Sequence, residues 1–170
     1  KLQKFEDLVD IETFGFRGEA LASVSYVAKV HVTTKCRGDE CAFKQSFRDG
    51  APLGKPKACA APNGTTLTVE DMFHNFQVRR KILRGQVSEL YHQMGRVCGA
   101  YAVHYASKAI SCRKAGHGSD LVTTGGTTLE ALTAVHGSHT SSNLCELKCG
   151  QEGTDEKPLH FALTGYVSKR

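Results

Sequence analysis

Gly15-Phe16-Arg17-Gly18-Glu19-Ala20-Leu21 sets two glycines around an arginine, immediately before a run of helix-forming residues. A helix N-terminus exposes unpaired N–H groups and carries about half a positive charge, so it suits a phosphate. Glycines ahead of it permit positive φ and let the backbone approach an anion closely. Arg17 adds a forked, permanently charged donor. The spacing is neither G-x-x-x-x-G-K-[ST] nor G-x-G-x-x-G. On these residues alone, a phosphate cradle and a glycine hinge capped by Glu19 both stand.

Three other stretches have residue types that could act chemically. Asn63-Gly64-Thr65-Thr66-Leu67-Thr68-Val69 can present a hydroxyl to a purine ring or a bridging water as it enters a strand, or it is a turn before a strand. Val78-Arg79-Arg80-Lys81 puts cations at the start of a helix, where they oppose the dipole. That placement points to a partner or an internal carboxylate, with a solvated basic cluster as the plainer alternative. Thr124-Gly125-Gly126-Thr127 precedes a helix and reads either as a cradle or, more simply, as a flexible linker.

The elements that must position these residues follow from periodicity. Helix is expected over Gly18–Tyr26, with Ala20, Leu21 and Val24 as its apolar side. Strands are expected over Val27–Lys35, Cys41–Arg48 and Thr65–Val69, where apolar and polar residues alternate. Asp49-Gly50 is a strong turn signal. Pro52 to Pro62 reads as a breaker-rich connection, and a meander of antiparallel strands is the simple inference. Leu83, Val87, Leu90, Met94, Val97 and Tyr101 make one continuous helical stripe, expected to face a core. Further on come a strand at Ala109–Cys112, a linker at Gly116–Thr127 and a helix at Thr128–His136. Two last strands, Leu144–Cys149 and Leu159–Val167, close the pattern. A domain boundary is expected near residue 126.

Composition bounds the class. In 170 residues, 40% are hydrophobic and 23% charged, enough for a core, and the net charge of +5 fits a phosphate-bearing partner. Seven cysteines at irregular intervals favour reduced thiols in a cytosolic or nuclear compartment. His136-Gly-Ser-His139 lacks a second ligand pair at zinc spacing, so no metal is expected in these residues. No apolar run approaches the roughly 18–20 residues that cross a bilayer, and no membrane partner is expected. The chain opens without Met on Lys1-Leu2-Gln3-Lys4 and ends within a strand pattern, which reads as a piece of a longer protein.

Taken in order, Lys1–Leu8, Thr13–Ser23, Gly64-Thr65, Val69-Glu70-Asp71-Met72-Phe73, Asn75 and Arg79-Arg80-Lys81 resemble the N-terminal ATPase region of MutL-family DNA mismatch repair proteins. Within the family they look closest to the eukaryotic subunit shared among the heterodimers. The similarity is strong from Lys1 to about Lys114 and looser to Arg170. The resemblance implies an α/β fold: an α+β sandwich of the gyrase, heat-shock chaperone, histidine kinase and MutL type. Residues 1–126 would be the later part of that ATPase domain, and 127–170 the beginning of a transducer module like domain 2 of ribosomal protein S5. It implies ATP-binding roles for Lys1 (the end of a Thr-Ser-Lys lid motif), for Arg17, Gly18, Glu19, Ala20 and Leu21 (a second phosphate-binding segment), and for Thr65 (near the adenine). The general base, the asparagine that holds Mg²⁺ and the Asp-x-Gly adenine pocket lie upstream in the family. These 170 residues hold no catalytic residue and are therefore not expected to hydrolyse ATP alone. His74 stands where the family usually has an aromatic hydroxyl, and Gln77 where bacterial members have proline.

The implied function is a nuclear mismatch-repair matchmaker. ATP binding and hydrolysis would drive N-terminal dimerisation and clamp closure on DNA, coupling mismatch recognition to excision. Mismatched duplex DNA, contacted through its backbone, a second MutL-type subunit and a MutS-type mismatch sensor are the implied partners. Two other readings compete. One is another ATPase of the superfamily, a kinase or topoisomerase subunit, disfavoured because those lack Gly-Phe-Arg-Gly-Glu-Ala-Leu followed by the Arg-Arg-Lys helix. The other is a non-catalytic DNA- or protein-binding module.

Overall fold

A computed structural model of the chain describes residues 4–6, 9, 11, 15, 18–151 and 161–169. The chain divides into two compact units, Lys1–Gln86 and Val87–Arg170. The boundary expected near residue 126 falls inside the second of these.

The first unit is a four-stranded antiparallel sheet with one short helix, α1 (Ala20–Ser25). Its strands are β1 (Lys29–Lys35), β2 (Ala42–Arg48), β3 (Ala51–Cys59) and β4 (Gly64–Glu70), in the order β3-β2-β1-β4. Residues with alternating apolar side chains form β1, which pairs Val30 with both Phe47 and Val69, and Val32 with both Gln45 and Leu67. Side chains directly opposite each other share a face, so Val30, Val32, Phe47, Leu67 and Val69 line one side of the sheet. After β4 comes α2 (Gln77–Gly85).

One expectation fails here. The stretch read as a breaker-rich connection contains a nine-residue strand, β3. Proline cannot donate to a ladder, but β3 is an edge strand and needs only one bonded side. Pro52 sits near the strand start opposite Phe47, and Pro56 falls within the irregularity where Lys44 pairs Lys57 but Ser46 pairs Leu53. Gln45 Nε2 donates across that irregularity to the carbonyls of Leu53 (3.2 Å) and Gly54 (3.4 Å).

The second unit holds α3 (Val87–His104), a hairpin of β5 (Ala109–Arg113) and β6 (Ser119–Thr124), α4 (Thr128–His136), α5 (Ser138–Ser142) and a second hairpin of β7 (Leu144–Gln151) and β8 (Phe161–Ser168). Helix α3 packs on α4, β5 and β6. The expected linker at 116–127 is also corrected, because its middle, Ser119–Thr124, is β6, with Leu121 and Thr123 buried at alternate positions. Polar composition hid this strand, since Thr123 spends its hydroxyl on the backbone, accepting from the Ile110 N–H at 3.0 Å. Among the described residues no helix is long and apolar enough to cross a membrane.

The long helix differs from expectation as well. It is interrupted at Gln86, and within α3 the stripe predicted to be buried is not: Val87, Met94, Val97 and Tyr101 are exposed. The buried side is instead Gly99, Ala102 and, just past the helix, Ala106. A Cβ on Gly99 would stand 3.0 Å from Val135 Cγ1 of α4. Small residues let two helices approach closely, and that gain in packing outweighs the size of the apolar side chains left outside.

Candidate functional site

Helix α1 is only six residues long, too short to be stable by itself, and its position comes from tertiary bonds. Ser25, 2% exposed, supplies them. Its hydroxyl donates to the Ala22 carbonyl (2.7 Å) and accepts from the Gly50 N–H (2.8 Å), while its carbonyl accepts from the Asp49 N–H (3.0 Å). The end of α1 is thereby tied to the β2–β3 turn. Gly50 has φ +75, and a Cβ there would meet the Tyr26 hydroxyl oxygen at 2.7 Å and Cζ at 2.9 Å. The buried side of the helix is thus Ser25, not the expected side of Ala20, Leu21 and Val24; Leu21 is 52% exposed.

The start of α1 carries the predicted phosphate segment. Gly18 has φ +72, a conformation glycine adopts without strain, and it turns the chain into Glu19, the N-cap residue. Among the described residues no side-chain cap bond is made at this N-cap, where a helix leaves its first N–H groups without intrahelical partners. Ala20 and Leu21 open the helix and are exposed. Lys1 and Arg17 lie outside the described residues.

Leu21, Ala22 and Ser25 face the apolar side of the sheet across a cavity of about 230 Å³ also lined by Val30, Val32 and Phe47. Thr65 belongs to that same side, because it pairs with Thr34, and their hydroxyls bond at 2.9 Å. The structure therefore brings α1 and Thr65 to one sheet face, near opposite ends of it.

A second junction joins segments that are distant in sequence. Asp71 and Phe73 both have positive φ (+52 and +59), making a tight turn after β4. The Phe73 N–H donates to the Val27 carbonyl (2.6 Å) and Asn75 Nδ2 to the Tyr26 carbonyl (2.9 Å), which fastens this turn to the α1–β1 connection. Lys29 Nζ lies 2.5 Å from Asp71 Oδ2, and Arg80 Nη2 lies 4.0 Å from Asp71 Oδ1. The bond from Lys29, and then its charge, hold the Asp71 carboxyl below its ordinary range. Asp71 is thus an internal carboxylate of the kind the basic helix start called for. Arg79 places its guanidinium 5.4 Å from the Phe76 ring centre and 6.0 Å from that of Phe73. His74 Nδ1 is buried with no hydrogen-bond partner among the described residues. Sequence reading missed Lys29 and Ser25, since each acts on a residue many positions away.

In the second unit, Thr127 caps α4 with its hydroxyl accepting from the Glu130 N–H (3.2 Å), while Glu130 accepts from the Thr127 N–H (2.8 Å). This capping box uses the groups that a phosphate cradle at Thr124–Thr127 would need. Tyr91 donates to the Asp120 carboxylate, a bond that raises the phenol's pKa above its usual value.

No family model matches the chain. It is 50% identical over 116 residues to the DNA mismatch repair protein MLH1 of Saccharomyces cerevisiae, an alignment covering 68% of this chain and 15% of that one. It is 34% identical over 177 residues to the putative MutL protein homolog 1 of Schizosaccharomyces pombe, covering 99% of this chain and 25% of that one. The chain thus spans between 15% and 25% of the length of these relatives. Its fold matches the crystal structure of the N-terminal domain of a DNA repair protein with a TM-score of 0.75 at 24% identity, covering 96% of this chain and 51% of the other. It also matches the Aquifex aeolicus MutL ATPase domain complexed with ADP with a TM-score of 0.61 at 24% identity, covering 86% and 56%. The mixed α/β architecture is therefore that of MutL-type ATPase domains.

Proposed function

The chain is a homologue of the MutL-family DNA mismatch repair proteins, and from this we propose that it is part of an ATP-driven mismatch-repair matchmaker. In this reading, ATP binding and hydrolysis drive N-terminal dimerisation with a second MutL-type subunit and closure on mismatched DNA in the nucleus. A MutS-type sensor would be the upstream partner. The observation that carries the reading is the 50% identity over 116 residues to a mismatch repair protein. The division into an ATPase part, 1–126, and the beginning of a transducer part, 127–170, belongs to the same proposal.

The local chemistry supports a nucleotide. Gly18 at φ +72 leads the chain into α1, whose N-cap residue makes no side-chain cap bond to the first N–H groups. Gly18, Glu19, Ala20 and Leu21 would hold phosphate oxygens mainly through the backbone, with Arg17 and Lys1 adding charge, and Thr65 would stand by the adenine across the same sheet face. Bound Mg²⁺, held by residues of the longer protein, would supply charge neutralisation at the phosphates. Triphosphate contacts that favour the ordered segment would favour the dimer through it, and hydrolysis would release both.

The test is nucleotide binding and single-turnover hydrolysis by the intact protein with Arg17→Ala and Gly18→Asp. Weaker ATP affinity or slower turnover is expected in both; Gly18→Asp additionally puts a carboxylate beside the phosphates. Unchanged affinity and rates in both variants would defeat the site assignment.

A further inference from the structure

The other face of the four-stranded sheet carries a feature that nucleotide binding leaves unused. In the β2–β3 ladder Lys44 stands directly opposite Lys57. Like charges placed opposite each other destabilise a sheet, so this pairing works against folding. Both side chains are exposed, and among the described residues neither has a carboxylate at ion-pair distance.

The register extends this row with hydroxyls. Thr33 pairs with Lys44 on one side and Thr66 on the other, giving Lys57, Lys44, Thr33 and Thr66 across all four strands. The next row on the same face holds Ser46, His31 and Thr68, with His31 Nδ1 and Ser46 Oγ 2.8 Å apart. Arg48, two residues beyond Ser46 on β2, shares the face by alternation. The acids nearby stand at the β4 end: Glu70 Oε2 lies 3.6 Å from His31 Nε2, and Asp71 holds Lys29. The Lys44–Lys57 row contains no acid of its own.

We propose that this face binds the phosphate backbone of duplex DNA, with Lys44 and Lys57 each neutralising a phosphate and the neighbouring hydroxyls donating further bonds. Repulsion between two lysines is relieved when a polyanion lies over both, which gives the pairing a use that folding does not. Flanking hydroxyls suit phosphate oxygens, and contacts made to the phosphate backbone carry no sequence information, so binding by this face is indifferent to sequence. The choice of DNA over another polyanion rests on the mismatch-repair reading; the cationic row does not.

The test is a salt series of binding between the full-length protein and a fluorescent duplex. For K44A/K57A, affinity falls equally for matched and mismatched duplexes, and the log–log salt slope shrinks by about 2, or roughly one per phosphate contact. K44Q/K57Q, which keeps side-chain length, gives the same loss. K44E puts a carboxylate opposite Lys57, so its Tm rises while its DNA affinity falls, a divergence that a purely structural role would not produce. A wild-type slope in both double variants, or no duplex binding by the parent protein, overturns the proposal. ATP-analogue binding is measured on the same samples. Its loss in the parent would sink the nucleotide reading alone, and its retention with an unchanged salt slope would sink this one alone.

Discussion

Helices α1 and α3 are held in place by opposite means. Six-residue α1 depends on directed bonds: Ser25 ties it to the Asp49-Gly50 turn, and Gly50 leaves room for the Tyr26 ring. The 18-residue α3 depends on close approach, with Gly99 and Ala102 turned inward and large apolar residues left outside. Directed bonds fix one arrangement and tolerate little, whereas packing by small residues leaves open space beside the contact. The helix proposed to orient a ligand is the one fixed by bonds, as a preorganised site requires.

The sharpest break of this contrast is Gly50→Ala. It forces a side chain into φ +75 and drives its Cβ to 2.7 Å from the Tyr26 hydroxyl oxygen. Left-handed strain costs about 1–2 kcal/mol, while the half-exposed Tyr26 ring can swing aside, so a loss of about 1–2 kcal/mol is expected. Denaturant unfolding measures it. A loss below about 0.5 kcal/mol would mean the turn shifts freely and α1 is not pinned.

Helix α3 sharpens the contrast from the other side, because it contains two glycines with different surroundings. A Cβ on Gly95 would meet nothing within 4 Å, whereas on Gly99 it would stand 3.0 Å from Val135. Replacing a mid-helix glycine by alanine removes about 0.5–1 kcal/mol of unfavourable backbone entropy. Gly95→Ala is therefore expected to stabilise by about that amount, while Gly99→Ala loses the gain, because the β-branched Val135 has few rotamers with which to yield. Equal effects of the two substitutions would refute packing through Gly99.

Much of this was legible in sequence, and the failures share a cause. Strict alternation marked β1 and β2, Asp49-Gly50 marked the turn that ends β2, and the helix expected over Thr128–His136 is α4. What failed depended on partners. Strand β3 was hidden by Pro52 and Pro56, which are admissible only because β3 ends the sheet, a fact no local window contains. The inward face of α3 was misjudged because size was read as burial, while Val135 rewards smallness. The entry to α1 was visible as a glycine-led helix mouth. Its anchor was not, because Ser25 and Gly50 are 25 residues apart and Lys29 and Asp71 are 42 apart.

The Lys29–Asp71 pair gives the smallest expected effect and tests how far directed bonds extend from α1. Both side chains are substantially exposed, 41% and 44%, so solvent and salt screen the pair. Lys29 holds the Asp71 carboxyl below its ordinary value of 3.8 in the folded protein, whereas the unfolded chain titrates near that value. The carboxylate's contribution is therefore present above 3.8 and is lost as pH falls from there through the lower folded value. Acid destabilises folded proteins through their carboxylates in general, so the parent's acid-induced fall in Tm means nothing alone. Asp71→Asn isolates the pair, because asparagine tolerates the φ of +52 at this position as well as aspartate does. The parent should lie slightly above the variant near neutral pH, and the two curves should converge as pH drops below 3.8. High salt should narrow the neutral gap. Curves that stay parallel down to the acid limit would mean that the turn after β4 is held by Phe73 and Asn75 alone, through their bonds to the Val27 and Tyr26 carbonyls.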